Sequence, residues 1–278
     1  MTRHRSVATW LAIAVVLGAP GCGEDASPTT VWALGDGGVA TPEDDRVGAF
    51  LAKQDLDRFL YLGDVYETGT REEFERHYQP AYGRFKDVTE PVPGNHEWAN
   101  RERGYDRYWA AHLARSGGRH YYSFDLAGWH FIALNSEEEI GRGSPQLDWL
   151  RKDLDRRSGN CTIAFVHRPR LSAGLHARAE RMEPAWSLLQ GRAVALVSGH
   201  DHNYQRFRPQ RGTVQFVVGT GGRSRYDVDE RDRRLARSDD ESFGALRIRL
   251  RPGRADYAYV TVDGQEFDAG TLTCRRGE

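Results

Sequence analysis

The sequence predicts an α/β protein built as a two-sheet α/β sandwich with flanking helices, and three observations predict it. From Val31 onward, short apolar runs bounded by glycine alternate with helical patterns, as the buried strands of α/β units do. The last third of the chain changes character: runs at 214–218, 245–250 and 257–262 read as strands with no long helix between them. Two sheets packed face to face, with helices outside, hold that number of strands. No linker break divides the 278 residues, so residues 31–274 read as one domain.

The elements follow in order. Residues 1–21 carry Arg3 and Arg5, an apolar stretch at 7–17 and small residues up to Gly21-Cys22, which is the pattern of a targeting signal. The stretch is too short for a comfortable membrane span. Ala-Pro-Gly-Cys22 resembles a bacterial lipoprotein signal, with Cys22 as the lipidated residue, although Ala19 stands where Leu is usual; an ordinary secretory signal is the alternative. Either way export is expected, to the periplasm or cell envelope or as a secreted protein. Residues 22–30 are polar and read as a tether. A helix at 42–54 has Thr41 as N-cap and Pro42 in its first position. Another opens at Thr70, with Glu73 in capping-box spacing. Residues 105–115 are amphipathic, and 121–124 with 129–134 suit a hairpin around Ala127-Gly128. Ser144-Pro145 starts a helix through Arg157 with Leu147, Leu150 and Leu154 on one face. Residues 179–190 suit a further helix. Residues 223–241 are dense in both charges and read as a solvated loop, or as a mobile flap because they follow Gly219-Thr220-Gly221-Gly222 at a strand end.

Composition bounds the function. Apolar residues make 39% and charged residues 28%, enough for a packed core. A net charge of −1 gives no overall field for nucleic acid, and membrane contact is expected only through lipid on Cys22. With Cys22 lipidated, Cys161 and Cys274 remain to form a disulfide in an oxidising compartment; two unpaired thiols are the alternative.

The chemistry sits at strand ends. Apolar runs at 31–34, 59–62, 91–93, 163–166 and 193–197 lead into Asp36, Asp64, Asn95-His96, His167 and His200-Asp201-His202. Ligands of α/β sheets bind outside the carboxyl ends of the strands. One rim therefore receives two carboxylates, an amide oxygen and several imidazoles. Each taken singly reads otherwise: an Asp after a strand is commonly a turn former, and His77, His112, His120 and His130 read as packing or surface residues. Together they suit a pair of metal ions about 3.5–4 Å apart that clamp a phosphate and activate a water, with Asp64 bridging through its two oxygens. His96 is placed to protonate a departing alkoxide.

In this order GDGG, GDVY, GNHE, the VH of FVHRP and GHDHNY resemble the calcineurin-like metallophosphoesterases, closest to the purple-acid-phosphatase-like branch. The resemblance covers residues 31 to about 206. It implies one metal on Asp36, Asp64, Tyr66 and His202 and the other on Asp64, Asn95, His167 and His200, with His96 over the leaving group. The two ions would be Fe, Zn or Mn. The family motif sets two residues between Asp and Tyr, and here only Val65 intervenes. Tyr66 reaches the metal if the loop has lost a residue; otherwise it points elsewhere, and zinc, manganese or ferrous iron is favoured over ferric. Arg168 stands where relatives often carry His, either to pair with a phosphate oxygen or to form a surface ion pair. His176 lies in a loop within reach of substrate.

The expected function is an exported dimetal phosphatase acting on small-molecule phosphate monoesters. A phosphodiesterase or nucleotidase on the same site is the near alternative. A non-catalytic exported binding protein with a decayed site, and a structural surface lipoprotein with incidental metal binding, are the distant ones.

Overall fold

The computed structural model describes residues 27–274 except 158, 160, 177 and 178; the targeting segment and Cys22 lie outside the described residues. The strands are β1 (Thr29–Leu34), β2 (Arg58–Tyr61), β3 (Thr89–Pro91), β4 (Tyr122–Leu126), β5 (Trp129–Ala133), β6 (Cys161–Val166) and β7 (Ala195–Ser198). They continue with β8 (Tyr204–Phe207), β9 (Val214–Val218), β10 (Leu235–Asp239), β11 (Gly244–Arg251), β12 (Arg254–Thr261) and β13 (Glu266–Thr273). One sheet has the order β13-β12-β11-β1-β2-β3, the other β10-β8-β9-β7-β6-β5-β4. Each is parallel where it holds the site, across β1-β2-β3 and β5-β6-β7-β9, and antiparallel beyond. The α/β sandwich with flanking helices is thus present.

The strand sequences explain the layering. Along β6, Ile163 and Phe165 face the inter-sheet core, while Ala164 and Val166 face the helices Pro145–Arg156 and Glu183–Leu189. Both faces of the pleat are covered, which is why the run is apolar throughout. The aromatic stack of Tyr61, Tyr78 and Tyr82 fills the space under the Pro42–Leu51 helix and its neighbours.

Local chemistry sets the boundaries. Asp44 N–H donates to Thr41 Oγ1 and Leu147 N–H to Ser144 Oγ, and Thr70 and Glu73 close the capping box. The hairpin turns through Ala127 and Gly128, both with positive φ (51° and 78°), the geometry a two-residue turn demands. The helix from Thr70 runs on through a π-helical stretch, Phe74–Tyr78, to Tyr82. The stretch expected at 105–115 breaks at Trp109 into two short helices. β1 takes in Thr29 and Thr30, which the tether reading had left outside the domain. The segment 223–241 is irregular over 223–234, as a loop reading expects, but 235–239 form β10, which pairs with β8.

Cys161 and Cys274 form a disulfide with Cα atoms 5.4 Å apart and a sequence separation of 113. It joins the start of β6 to the residue after β13 and so staples one sheet to the other at the end remote from the strand ends of interest. Cys274→Ser is expected to lower stability by about 4 kcal/mol, read as a drop in thermal midpoint that reductant reproduces in the parent protein. A midpoint unmoved by either treatment refutes the staple.

His130 is buried between Asp153 (2.7 Å) and Asp125 (2.8 Å). Burial pulls its pKa down, but the two carboxylates outweigh that and raise it. A raised folded pKa contributes stability that is complete below the ordinary value of about 6.5 and is lost as pH climbs through the folded value. His130→Gln is therefore expected to cost about 2 kcal/mol near pH 6, with the gap to the parent narrowing towards pH 9. A gap constant across pH-resolved unfolding curves contradicts this.

Candidate metal centre

The parallel strands of both sheets open onto one seam. Gly35 N–H donates to Val218 O across it, Asp36 N–H to Gly63 O, and Gly199 N–H to His167 O. Chain reversal within three residues of each strand end puts Asp36 (φ 63°), Asp64 (φ 68°) and His200 (φ 72°) in the left-handed region. Such conformations cost about 1–2 kcal/mol each and persist where the surroundings over-determine them.

All seven residues expected as ligands meet here. In one group the Tyr66 hydroxyl lies 3.2 Å from Asp36 Oδ1, 3.2 Å from Asp64 Oδ2 and 3.0 Å from His202 Nε2. In the other, His167 Nε2 lies 3.0 Å from Asn95 Oδ1, 3.1 Å from His200 Nδ1 and 3.4 Å from Asp64 Oδ2. Donors about 2.0–2.1 Å from a shared ion sit about 2.9–3.4 Å from one another, so the spacing fits. Tyr66 therefore points into the site despite the shorter interval after Asp64. Asp64 differs from expectation in one respect. Its Oδ1 is taken by the N–H of His96 (3.0 Å), so a single oxygen, Oδ2, faces both groups.

Backbone carbonyls set the imidazole tautomers. His167 Nδ1–H donates to Leu62 O (2.8 Å) and His202 Nδ1–H to Ser224 O (2.7 Å), which turns both Nε2 lone pairs inward. Glu97, fully buried, accepts from the N–H groups of Asp64 (3.1 Å), Val65 (3.2 Å) and Gly94 (2.9 Å) and so fixes the turn that carries Asp64. A Cβ on Gly94 would collide with the Asp64 carboxylate. Asp201 points away from the groups; it accepts from Ser172 Oγ and from His176 N–H (3.1 Å) and holds the 172–176 loop against the site.

The electrostatics are unresolved within the protein. Among the described residues neither Asp36 nor Asp64 has an Arg or Lys ion pair; the ion-pair partners of each are histidines. Burial raises Asp36, but His202 and His167 outweigh it and hold its pKa low, whereas for Asp64 burial prevails and the pKa rises. Burial lowers His167, but Asp64 and Asp36 outweigh it and raise it; burial and His167 depress His200. Burial and Asp64 push Glu97 up to about 8. Carboxylates, imidazoles, an amide and a phenol gathered at one place, with no Arg or Lys pairing the carboxylates among the described residues, form a donor set suited to iron, zinc or manganese.

The rim holds the remaining expected residues. His96, 30% exposed, has Nδ1 2.6 Å from Glu67 O and Nε2 3.9 Å from Asp64 Oδ2. Arg168 is gripped by Glu137 (Nε to Oε1, 2.8 Å) with Nη1 2.8 Å from His200 Nε2. The His176 ring stacks on His200 at 4.3 Å. His77, His112, His120 and His130 lie outside the two groups, His77 with Nδ1 2.6 Å from Tyr66 O. The sequence reading missed Arg223, whose guanidinium lies 4.5 Å over the Tyr66 ring and pairs with Glu67 (2.6 Å), and Tyr226, stacked on His202 at 4.1 Å. Only the glycines before them marked this stretch.

A family model for calcineurin-like phosphoesterases matches residues 30–204. The chain is 29% identical over 206 residues to probable purple acid phosphatase 20 of Arabidopsis thaliana, covering 62% of this chain and 47% of that protein. The chain thus spans about half the length of the curated relatives it matches. Its fold is shared with purple acid phosphatase PPD1 of yellow lupin (TM-score 0.75, 19% identity, 90% of this chain and 54% of that one). It is shared also with GAP50, the anchor in the inner membrane complex of Plasmodium (TM-score 0.74, 14% identity, 91% of each chain).

Glu97→Ala orphans three buried amides at about 1–3 kcal/mol each and frees the Asp64 turn. The expected result is a folded protein whose bound transition metal, measured by elemental analysis, falls below that of the parent. Undiminished metal content refutes the positioning role.

Proposed function

The chain belongs to the calcineurin-like phosphoesterase family, in its purple-acid-phosphatase-like branch, and from that premise we propose that it is a dimetal hydrolase of phosphate monoesters. The observation that carries this reading is Asp64 Oδ2, one carboxylate oxygen facing two donor groups at once. Asp36, Asp64, Tyr66 and His202 would hold one ion, and Asp64, Asn95, His167 and His200 the other. Two such ions supply Lewis acidity toward the phosphoryl oxygens and a water acidic enough to serve as nucleophile near neutral pH.

The chain's own residues do the rest. Glu67 O fixes the Nδ1–H of His96 and so aims Nε2 at the solvent side of the site. From there His96 gives its proton to the oxygen of the departing alcohol. Arg168 and His176 border the group built on His200, and Arg168 Nη1 offers a fixed donor to a phosphate oxygen. A monoester carries one more ionisable oxygen than a diester, and Arg168 Nη1 is the donor set to meet it, with the guanidinium charge shared with Glu137 (2.8 Å); this favours monoesterase over phosphodiesterase action. The binding-protein reading has little in its favour, since no member of the donor set has been lost. The Cys161–Cys274 bridge supports work in an oxidising compartment, in line with the targeting pattern of residues 1–21.

Purified protein is expected to carry two transition-metal ions per chain and to release phosphate from simple monoesters. Asn95→Ala or His200→Ala is expected to lose metal and activity together. A metal-free preparation that stays inert after reconstitution, or full activity in either variant, overturns the proposal.

His96→Ala is expected to cut kcat about 10²–10⁴-fold for alkyl phosphates and far less for p-nitrophenyl phosphate, whose leaving group needs no proton. Equal losses on both substrates contradict the general-acid role.

A further inference from the structure

Leu175 is the one exposed large hydrophobic side chain among the described residues, at 66% exposure. Alone it means little, since scattered apolar surface residues are normal. Its position is what matters. It lines a cavity of about 470 Å³ together with Arg168, His176 and His200, and also the neighbouring cavity that Tyr226 and Val228 line. It therefore forms the ridge between the mouth of the metal centre and the adjoining surface.

Beside that ridge the rings form a collar. His176 stacks on His200 (4.3 Å), meets Tyr226 edge to face (5.5 Å, 73°), and Tyr226 in turn stacks on His202 (4.1 Å, 16°). Backbone hydrogen bonds tie the Tyr226 side of the collar down. Tyr226 N–H donates to His202 O, Tyr226 O accepts from Asn203 Nδ2 (3.1 Å), and Asp229 N–H donates to Ala173 O. The nearby cations are committed elsewhere. Arg225 donates to His202 O and to the carbonyls of Asp239 and Ser242, Arg181 to the carbonyls of Glu137 and Glu138, and Arg231 pairs with Asp229. Glu180 and Asp227 also line these cavities, and Arg168 is held by Glu137; between them the organic part of an ester meets an apolar ridge next to a corner of ring faces.

We infer that Leu175 and Tyr226 form a subsite for that organic part and select phosphate esters whose alcohol presents an aromatic or heteroaromatic face over esters of polyols. The inference rests on the phosphoesterase reading of the site and deepens it. Apolar ring burial against such a surface discriminates by roughly 10-fold or more.

The test uses phenylphosphonate and methylphosphonate, which carry the same anionic group and are not hydrolysed, in calorimetric titration of the metal-loaded protein. Phenylphosphonate is expected to bind about tenfold more tightly, and Leu175→Ser to erase most of that ratio while Leu175→Met preserves it. In parallel, Leu175→Ser is expected to lower kcat/KM for phenyl phosphate relative to glycerol phosphate about fivefold, a comparison in which intrinsic leaving-group reactivity cancels. Equal binding of the two phosphonates, or a Leu175→Ser effect that scales both equally, overturns the inference. A protein that turns over no ester yet keeps the phosphonate preference would sink the hydrolase reading and leave the subsite standing.

Discussion

Two buried carboxylates at the seam of two sheets govern this structure. Among the described residues no Arg or Lys pairs with Asp36 or Asp64, and an uncompensated charge at such a place is costly. The surrounding order can be read as the answer to that problem. His200 N–H donates to Asp36 (2.8 Å) and His96 N–H to Asp64, the Tyr66 hydroxyl lies 3.2 Å from an oxygen of each and can donate to one of them, and three imidazoles turn ring nitrogens toward the two carboxylates. Even so the negative charge is only partly met. A pair of cations would complete what the protein leaves undone, so stability and metal affinity are aspects of one arrangement.

The fold supplies this arrangement at low cost because parallel strands end together. β1, β2 and β3 of one sheet and β6 and β7 of the other deliver their following residues to one edge, while helices and the antiparallel strands absorb the burial. Strain and precision are concentrated at that edge, in the left-handed residues Asp36, Asp64 and His200. The opposite end is closed by the Cys161–Cys274 bridge. Tightening there leaves the strand ends free to be shaped by the turns that hold the carboxylates.

Much of this was legible in the chain. Thr41, Thr70 and Ser144 announce their helices through local hydrogen bonds, and Ala127-Gly128 announces its turn, because such signals act within four residues. The ligand set was legible because each member follows an apolar strand. What stayed hidden depends on partners far away in sequence. Glu97 looks like one more acidic residue until its carboxylate meets the amides of Asp64 and Val65, more than thirty positions earlier. β10 hides in a run of charges because its pairing with β8, rather than apolar content, makes it a strand. The single shared oxygen of Asp64 follows from the N–H of His96, which no spacing reveals.

Glu67 shows how such distant contacts unite separate parts of the site. Its carbonyl orients His96, while its carboxylate grips Arg223, which covers the Tyr66 ring; the His96 ring lies 4.3 Å from the same phenol. One residue thus ties His96 to the cation over Tyr66, so movement of the 223–226 strap would be felt at His96 as well as at His202. The strap itself is anchored by Arg223 N–H on Asp36 O and by Tyr226 N–H on His202 O, which are carbonyls of two residues in the metal groups. The donor groups, His96 and the apolar collar are therefore one mechanical unit. Substrate selection by the collar acts on a centre whose donors are each held by hydrogen bonds of their own, so differences between substrates should arise from how well the organic group seats.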